Sequence, residues 1–133
     1  MSEYLVKSHL GKEEWQIFNQ VRDHEFVCDT VENDAGPNPV EYLAGSVNSC
    51  IVMSAGMVVK SRQLDVTNFR VENTAETENL GHGKSIVSKM AIKVFFDSSM
   101  TDEEKQKFLD FVLHVSTVYQ TVKQAVDIEV KIA

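Results

Sequence analysis

The residue of this chain best suited to chemistry is Cys50, a thiol that stands in a long stretch without charge. No charged side chain occurs from residue 43 to residue 59, and apolar residues recur there with a helical period. A helix with almost no polar face should be enclosed on nearly all sides. Because free cysteines are among the most buried residue types, position alone favours an inert core thiol. A reactive Cys50 would need positive charge from another part of the chain.

The residues before Cys50 predict where its helix begins. Asn38 is a favourable N-cap, and Pro39 suits the first helical position. Glu41 falls at the third position, where its carboxylate can complete a capping box. Cys50 lies eleven residues after Pro39, which is about 16 Å along the helix axis. The dipole of its own helix therefore acts too far away to activate the thiol.

Other potentially catalytic residues have weaker support. Cys28 is predicted on a strand next to Asp29 and is interpreted as a bystander, although a part in the chemistry of Cys50 stays open. His114, on the predicted second helix, could line a cavity at Cys50, but a solvated or core histidine is the simpler interpretation. No motif for Ser-His-Asp catalysis, glycine-rich phosphate loop or Cys/His spacing typical of zinc is present, so we expect no metal.

Charge and length exclude several classes of protein. The 133 residues carry 13 basic and 20 acidic side chains, a net charge of −7, and the basic residues form no run. Because nucleic-acid binding depends on clustered Lys and Arg, we expect no nucleic-acid partner. The first residues resemble no secretory signal, and the uncharged stretch is too short and too rich in Gly, Ser and Asn to span a bilayer. We expect a single cytoplasmic domain over 1–133, with no membrane partner.

Hydrophobic patterning predicts an α+β fold with mostly antiparallel sheet and two main helices. Thr101 and Glu104 form a capping-box pattern that opens the second helix. The residues expected on its inward face are Phe108, Phe111, Val112, Val115, Val118 and Tyr119. The predicted strands cover residues 3–10, 14–20, 25–31, 64–77, 85–97 and 126–132.

The segment around Cys50 resembles a known family. It resembles the G-x-N-P-E-x-L…C segment of the OsmC/Ohr proteins at Gly36, Asn38, Pro39, Leu43 and Cys50. The likeness extends over most of the chain. These proteins are bacterial thiol peroxidases that reduce organic hydroperoxides in the response to oxidative stress. The resemblance implies an OsmC-like fold, an intertwined homodimer with central helices, no metal, flavin or nucleotide, and a catalytic thiol at Cys50.

The resemblance also assigns an arginine to the site and identifies two replaced residues. In the family a conserved arginine comes from an N-terminal hairpin turn, and Arg22 takes that place without the family's flanking glycines. The family glutamate that orients the arginine aligns with Val40, and Glu41 is its neighbour. The family's resolving cysteine on the second helix aligns with Ser116.

The reaction that the resemblance implies is attack of a Cys50 thiolate, held by Arg22, on the O–O bond of a peroxide. The possible supporting residues are Glu41, Ser116 and Tyr119. An apolar lining that favours organic hydroperoxides is predicted from Met53, Met57, Phe108 and Val112. Because position 116 holds no cysteine, recycling would need an external thiol, or Cys28 if the fold brings it near.

Two other interpretations stay open. Replacement of the family residues at Val40 and Ser116 could mark a non-catalytic relative that binds a small lipophilic ligand. A structural dimer with an inert Cys50 is the third interpretation. Under each of them a homodimer is expected, because 133 residues can hardly cover a helix without a polar face.

Overall fold

The computed structural model describes every residue from Met1 to Ala133 and has the predicted α+β architecture. Its elements are β1 (Lys7–Leu10), β2 (Ile17–Val21), β3 (His24–Cys28), α1 (Pro39–Arg62), β4 (Thr67–Gly81), β5 (Lys84–Asp97), α2 (Asp102–His114), α3 (Thr117–Val122) and β6 (Asp127–Ile132). The strands form two sheets, in the orders β1-β2-β3 and β4-β5-β6. The chain divides into two compact units, Met1–Tyr42 and Leu43–Ala133, and the single domain over 1–133 stays a prediction.

The sheet of the first unit is an antiparallel meander. β2 pairs with both neighbours, so that Ile17 lies opposite Leu10 and also opposite Cys28. All three strands are shorter than the sequence predicts. β3 ends at Cys28 rather than at residue 31, because the Asp29 carboxylate accepts a hydrogen bond from the Thr30 N–H at 2.7 Å and turns the chain out of the ladder.

The sheet of the second unit combines antiparallel and parallel pairing. β4 and β5 form a long hairpin that turns between Gly81 and Lys84. β6 runs parallel to β5, from Asp127 opposite Lys89 to Ile132 opposite Val94. Parallel neighbours need a crossover connection, and α2 and α3 supply it.

The hydrophobic core of the second unit joins this sheet to α1 and α2. An aromatic cluster lies within it, where the ring centroids of Phe69, Phe96 and Phe108 are 5.4–6.0 Å apart. The buried members of the core are Val47, Ile51, Ala55, Val58, Val66, Met90, Ile92, Val94, Phe108, Leu109, Val112 and Val126. The core thus fixes the side of α1 that faces the sheet.

α1 begins as the sequence predicts. Asn38 Oδ1 accepts a hydrogen bond from the Glu41 N–H, and Glu41 Oε1 accepts one from the Asn38 N–H, both at 2.9 Å. This reciprocal pair is a capping box, and it confirms the predicted roles of Asn38, Pro39 and Glu41.

The two sides of α1 differ in burial. One side supplies four buried apolar residues to the core, whereas Val52, Met53 and Met57 on the other are exposed. Within one chain the helix is therefore not enclosed on all sides, and its outer side is apolar. By length and composition alone α1 is also apolar enough to cross a membrane, although its inner side packs in the core.

The predicted second helix is wrong in its extent. The capping box at Thr101 and Glu104 is confirmed, but α2 ends at His114 and a separate helix, α3, starts at Thr117. Ser116 breaks the helical path with φ −88° and ψ 98°, and its hydroxyl donates to the Val112 carbonyl at 2.7 Å. Val115, predicted inward, is exposed at 42% because the chain turns there.

Candidate active site

The half-buried Cys50 thiol lies at the beginning of α3. The backbone N–H of Val118 donates a hydrogen bond to Cys50 Sγ at 3.4 Å, across 68 residues of sequence. Val118 is the second residue of α3, and the first N–H groups of a helix find no acceptor inside it. The sulfur therefore supplies the acceptor that this amide lacks. A donor in this position can stabilise negative charge on sulfur.

Ser116 fixes the place where α3 begins. Its side chain is fully buried, and its hydroxyl and N–H donate to the carbonyls of Val112 and Leu113, at 2.7 and 3.2 Å. The hydroxyl is thus engaged with the last turn of α2 and makes no capping bond to α3. Within the second unit, the predicted site residue Cys50 thus lies next to the segment that follows Ser116.

Tyr119 is the next half-buried side chain of α3. Burial raises the pKa of its phenol above the ordinary 10.0, so that the group stays protonated and can donate a hydrogen bond. The Lys123 ammonium lies 5.6 Å from the centre of the Tyr119 ring.

Arg22 lies in the turn between β2 and β3 of the first unit. Val21 and His24 pair across this turn, and Arg22 has a φ of +52°, a left-handed conformation that is strained for a residue other than glycine. The side chain is exposed, and Arg22 Nη1 lies 3.4 Å from His24 Nε2. Its turn borders a surface cavity of about 400 Å³ that Glu3 and Lys7 also line.

The motif residues before α1 have structural roles in the first unit. A Cβ at Gly36 would lie 2.4 Å from the Val27 carbonyl oxygen, so only glycine fits there. The Tyr42 hydroxyl donates to the same oxygen at 2.6 Å. Glu41 caps α1, and Val40 beside it has an apolar side chain that can neither donate nor accept a hydrogen bond.

The family comparison decides the class of this chain. The family model described as OsmC-like protein matches residues 32–131. The chain belongs to the OsmC-like protein family. A search of curated proteins finds no match to the sequence.

Solved structures share the fold of this OsmC-like chain at low sequence identity. The OsmC-like protein from Mycoplasma pneumoniae has a TM-score of 0.90 and 14% identity, covering 99% of this chain and 96% of that chain. An organic hydroperoxide resistance protein from Elizabethkingia anophelis has a TM-score of 0.78 and 13% identity, covering 100% of this chain and 96% of that chain. The organic hydroperoxide resistance protein OhrB of Bacillus subtilis has a TM-score of 0.72 and 13% identity, covering 99% of this chain and 98% of that chain. These likenesses establish the fold.

The predicted pocket residues of the OsmC-like chain lie in different surroundings. Phe108 and Val112 belong to the core, whereas Met53 and Met57 are exposed at 62% and 64%. Met57 lines a groove with other residues of α1, with Phe111 of α2 and with Val115. Met53 lines another groove, of about 610 Å³. The other residues that line it are Asn48, Ser49, Val52, Phe69, Arg70 and Val71.

Two buried amide oxygens of the second unit, Asn48 Oδ1 and Asn73 Oδ1, have no hydrogen-bond partner. Asn73 Nδ2 lies 3.5 Å from the Ala44 carbonyl oxygen, which places this side chain against α1. Asn48 lines the groove of Met53. Cys28 and Cys50 are both free thiols, and no three His, Cys, Asp or Glu residues cluster as metal ligands would.

Sequence reasoning missed the role of Asp29, which organises the loop before α1. The residue is 2% exposed, and its carboxylate accepts hydrogen bonds from the N–H groups of Thr30 and Ala35 and from Asn33 Nδ2. Burial raises the pKa of Asp29, but these bonds and one from Gln16 outweigh burial, so the pKa lies below the ordinary 3.8. The acid before a run of turn-forming residues was the available signal.

Proposed function

We propose that this OsmC-like chain is a cytoplasmic thiol peroxidase that reduces organic hydroperoxides through Cys50. The observation that supports it best is the hydrogen bond from the Val118 N–H to Cys50 Sγ. This bond gives the thiol a donor for a developing negative charge, which an inert core thiol does not need. Two structural neighbours are organic hydroperoxide resistance proteins, which agrees with this substrate class.

The chemistry begins with the Cys50 thiolate. Its sulfur attacks the terminal oxygen of the hydroperoxide, the O–O bond breaks, and the alkoxide leaves as an alcohol after it takes up a proton from water. Cys50 is left as a sulfenic acid. Arg22 is the cation that we assign to the leaving oxygen, because a guanidinium offers several donors in a fixed plane.

Return of Cys50 to the thiol needs two electrons from outside the chain. Ser116 carries a hydroxyl, which cannot form a disulfide, and that hydroxyl is bound to the Val112 carbonyl. We therefore propose that a small or protein thiol attacks the oxidised Cys50 and that a second thiol releases it.

The functional form that we propose is a homodimer. The outer side of α1 exposes Val52, Met53 and Met57, and Cys50 lies on the same helix. A partner that covers these side chains would also give the active site an apolar surrounding, which favours organic over hydrogen peroxide.

The proposal is tested by hydroperoxide consumption with an excess of a dithiol reductant. Cys50→Ser should abolish the reaction, whereas the matched change Cys28→Ser should leave it intact. Arg22→Gln should slow it by about a hundredfold, on the scale of losing one oxyanion donor, and Arg70→Gln, an exposed arginine of the second unit, should not. Activity that survives Cys50→Ser would refute the proposal.

A second candidate function is the binding of a small lipophilic ligand without turnover. The groove beside Met53 favours it, because apolar side chains line most of this groove and the unpaired Asn48 Oδ1 offers an acceptor. A chain that consumes no hydroperoxide but binds a lipophilic alcohol, with affinity lost in Val71→Asp, would support this function.

A further inference from the structure

We propose that oxidised Cys50 closes a reversible sulfenamide with the backbone nitrogen of Val118. The inference rests on the proposed function, which supplies the sulfenic acid. It gives the chain an internal partner for that acid although position 116 holds no cysteine. The product is a covalent S–N bond between α1 and α3.

Distance is the first support. Cys50 Sγ and the Val118 nitrogen are 3.4 Å apart in the thiol state. To form an S–N bond the two atoms must move closer by roughly 2 Å. Any two atoms in non-bonded contact must approach by about this distance when they become covalently bonded. The condensation of a sulfenic acid with a backbone nitrogen is an established branch of cysteine oxidation.

The position of the amide is the second support. A nitrogen inside a helix gives up a backbone hydrogen bond when it loses its proton, but the second residue of a helix has no such bond. The backbone bonds of α3 begin further on, with the Gln120 N–H donating to the Ser116 carbonyl at 2.9 Å. The Val118 N–H therefore donates its hydrogen bond to the same sulfur with which the nitrogen reacts.

The buried Ser116 is the third support. Its hydroxyl donates to the Val112 carbonyl and its exposure is 0%, so this segment is held in place by α2 rather than free to move from the sulfur. A fixed amide next to the sulfenic acid competes with a second molecule of peroxide because its reaction is intramolecular.

The reaction balances without a further oxidant. The hydroperoxide has already oxidised Cys50 to the sulfenic acid by two electrons. The Val118 nitrogen then attacks sulfur, the S–O bond breaks, and the hydroxyl leaves with the amide proton as water. An external thiol later attacks the sulfur, the S–N bond breaks, and the nitrogen regains a proton. A second external thiol releases Cys50 and leaves as a disulfide.

The experiment uses the full chain with Cys28→Ser, so that no disulfide can form within one molecule. One equivalent of cumene hydroperoxide is added, the sample is quenched in acid, and its intact mass is measured without reductant. We expect a monomer mass that has lost two hydrogens and returns to the starting value with dithiothreitol. A tryptic digest should join the Cys50 peptide to the Val118 peptide.

Two proline variants provide the contrast in the same turn. Val118→Pro removes the reacting N–H, so the product that lacks two hydrogens should be lost and additions of one and then two oxygens should replace it. Thr117→Pro keeps the Val118 N–H and follows Ser116, whose extended backbone suits a residue before proline. Thr117→Pro should retain the cross-link.

The outcomes separate this inference from the proposed function. Oxygen additions alone in the Cys28→Ser chain, or persistence of the cross-linked mass in Val118→Pro, would overturn the sulfenamide while leaving the peroxidase intact. A Cys50 that remains fully alkylatable after hydroperoxide would overturn both. If Val118→Pro fails to fold, the peptide that carries the cross-link in the chain with Val118 present decides the question.

Discussion

At the residue scale, one buried carboxylate, that of Asp29, holds the loop that leads into α1. Its carboxylate accepts hydrogen bonds from the N–H groups of Thr30 and Ala35, and the Asp29 N–H donates to the Pro37 carbonyl at 3.1 Å. The loop between β3 and α1 thus closes around one side chain. Gly36 lies inside this loop, where the Val27 carbonyl leaves no room for a Cβ.

The lowered pKa of Asp29 predicts the direction of a pH effect. Because the folded pKa lies below 3.8, the carboxylate contributes stability that is present above pH 3.8 and is lost as the pH falls through the folded value. Asp29→Asn should therefore lower the free energy of unfolding at neutral pH, and the difference from the natural chain should shrink at acidic pH. Urea unfolding of both proteins at the two pH values measures this.

Asp23→Asn is the control for the Asp29 experiment, since this acid lies in an exposed turn of the same unit. It should change the unfolding free energy little at either pH. An Asp29→Asn difference that stays constant or grows on acidification would contradict the assigned role.

At this scale the sequence offers candidate side chains but marks no backbone group. Residue type and the family motif predict Cys50 and Arg22 as site residues, and their roles stay predictions. The Val118 N–H is a group that almost every residue carries, so nothing in the sequence marks it. It becomes special only because α3 begins beside the sulfur, and that position depends on packing of Ser116 against α2.

At the scale of elements, helix starts were predictable and one helix end was not. Both capping boxes follow from local side-chain chemistry within four residues, so the sequence alone specifies them. The apolar period of α2, in contrast, continues through the break, because Val118 and Tyr119 keep the helical spacing from Phe111 and Val115. The Ser116 hydroxyl ends the helix by a contact that periodicity does not encode.

The capping box of α2 predicts the cost of removing it. Thr101→Ala loses the hydroxyl that accepts from the Glu104 N–H at 3.2 Å, and we expect the free energy of unfolding to fall by about 1 kcal/mol. Glu103→Ala is the control in the same turn, because it removes only an exposed pair with Lys107 and should cost at most about 0.5 kcal/mol. Equal losses in the two variants, measured by urea unfolding, would contradict the cap.

At the scale of the whole molecule, the apolar outer side of α1 predicts a homodimer. The natural chain should have twice the 15.0 kDa mass of one chain at micromolar concentration. Met53→Glu should shift it toward the monomer mass, since burial of a carboxylate in an apolar contact is unfavourable. Light scattering after size exclusion measures both.

Lys84→Glu is the control for the dimer prediction, because it introduces the same side chain at the exposed end of the β4–β5 hairpin. It should leave the mass unchanged. A natural chain that remains at 15.0 kDa under these conditions would refute the predicted homodimer.

The parallel pairing of β6 with β5 also governs the order in which the second unit can fold. The β4–β5 hairpin joins neighbouring segments and can form early, whereas β6 reaches β5 only after the chain has passed through α2 and α3. Closing that longer loop costs more entropy, and contacts distant in sequence slow folding. During synthesis the backbone edge of β5 from Lys89 to Val94, which pairs with β6, stays unpaired until β6 has left the ribosome. Nascent chains should therefore be most prone to aggregation just before β6 emerges.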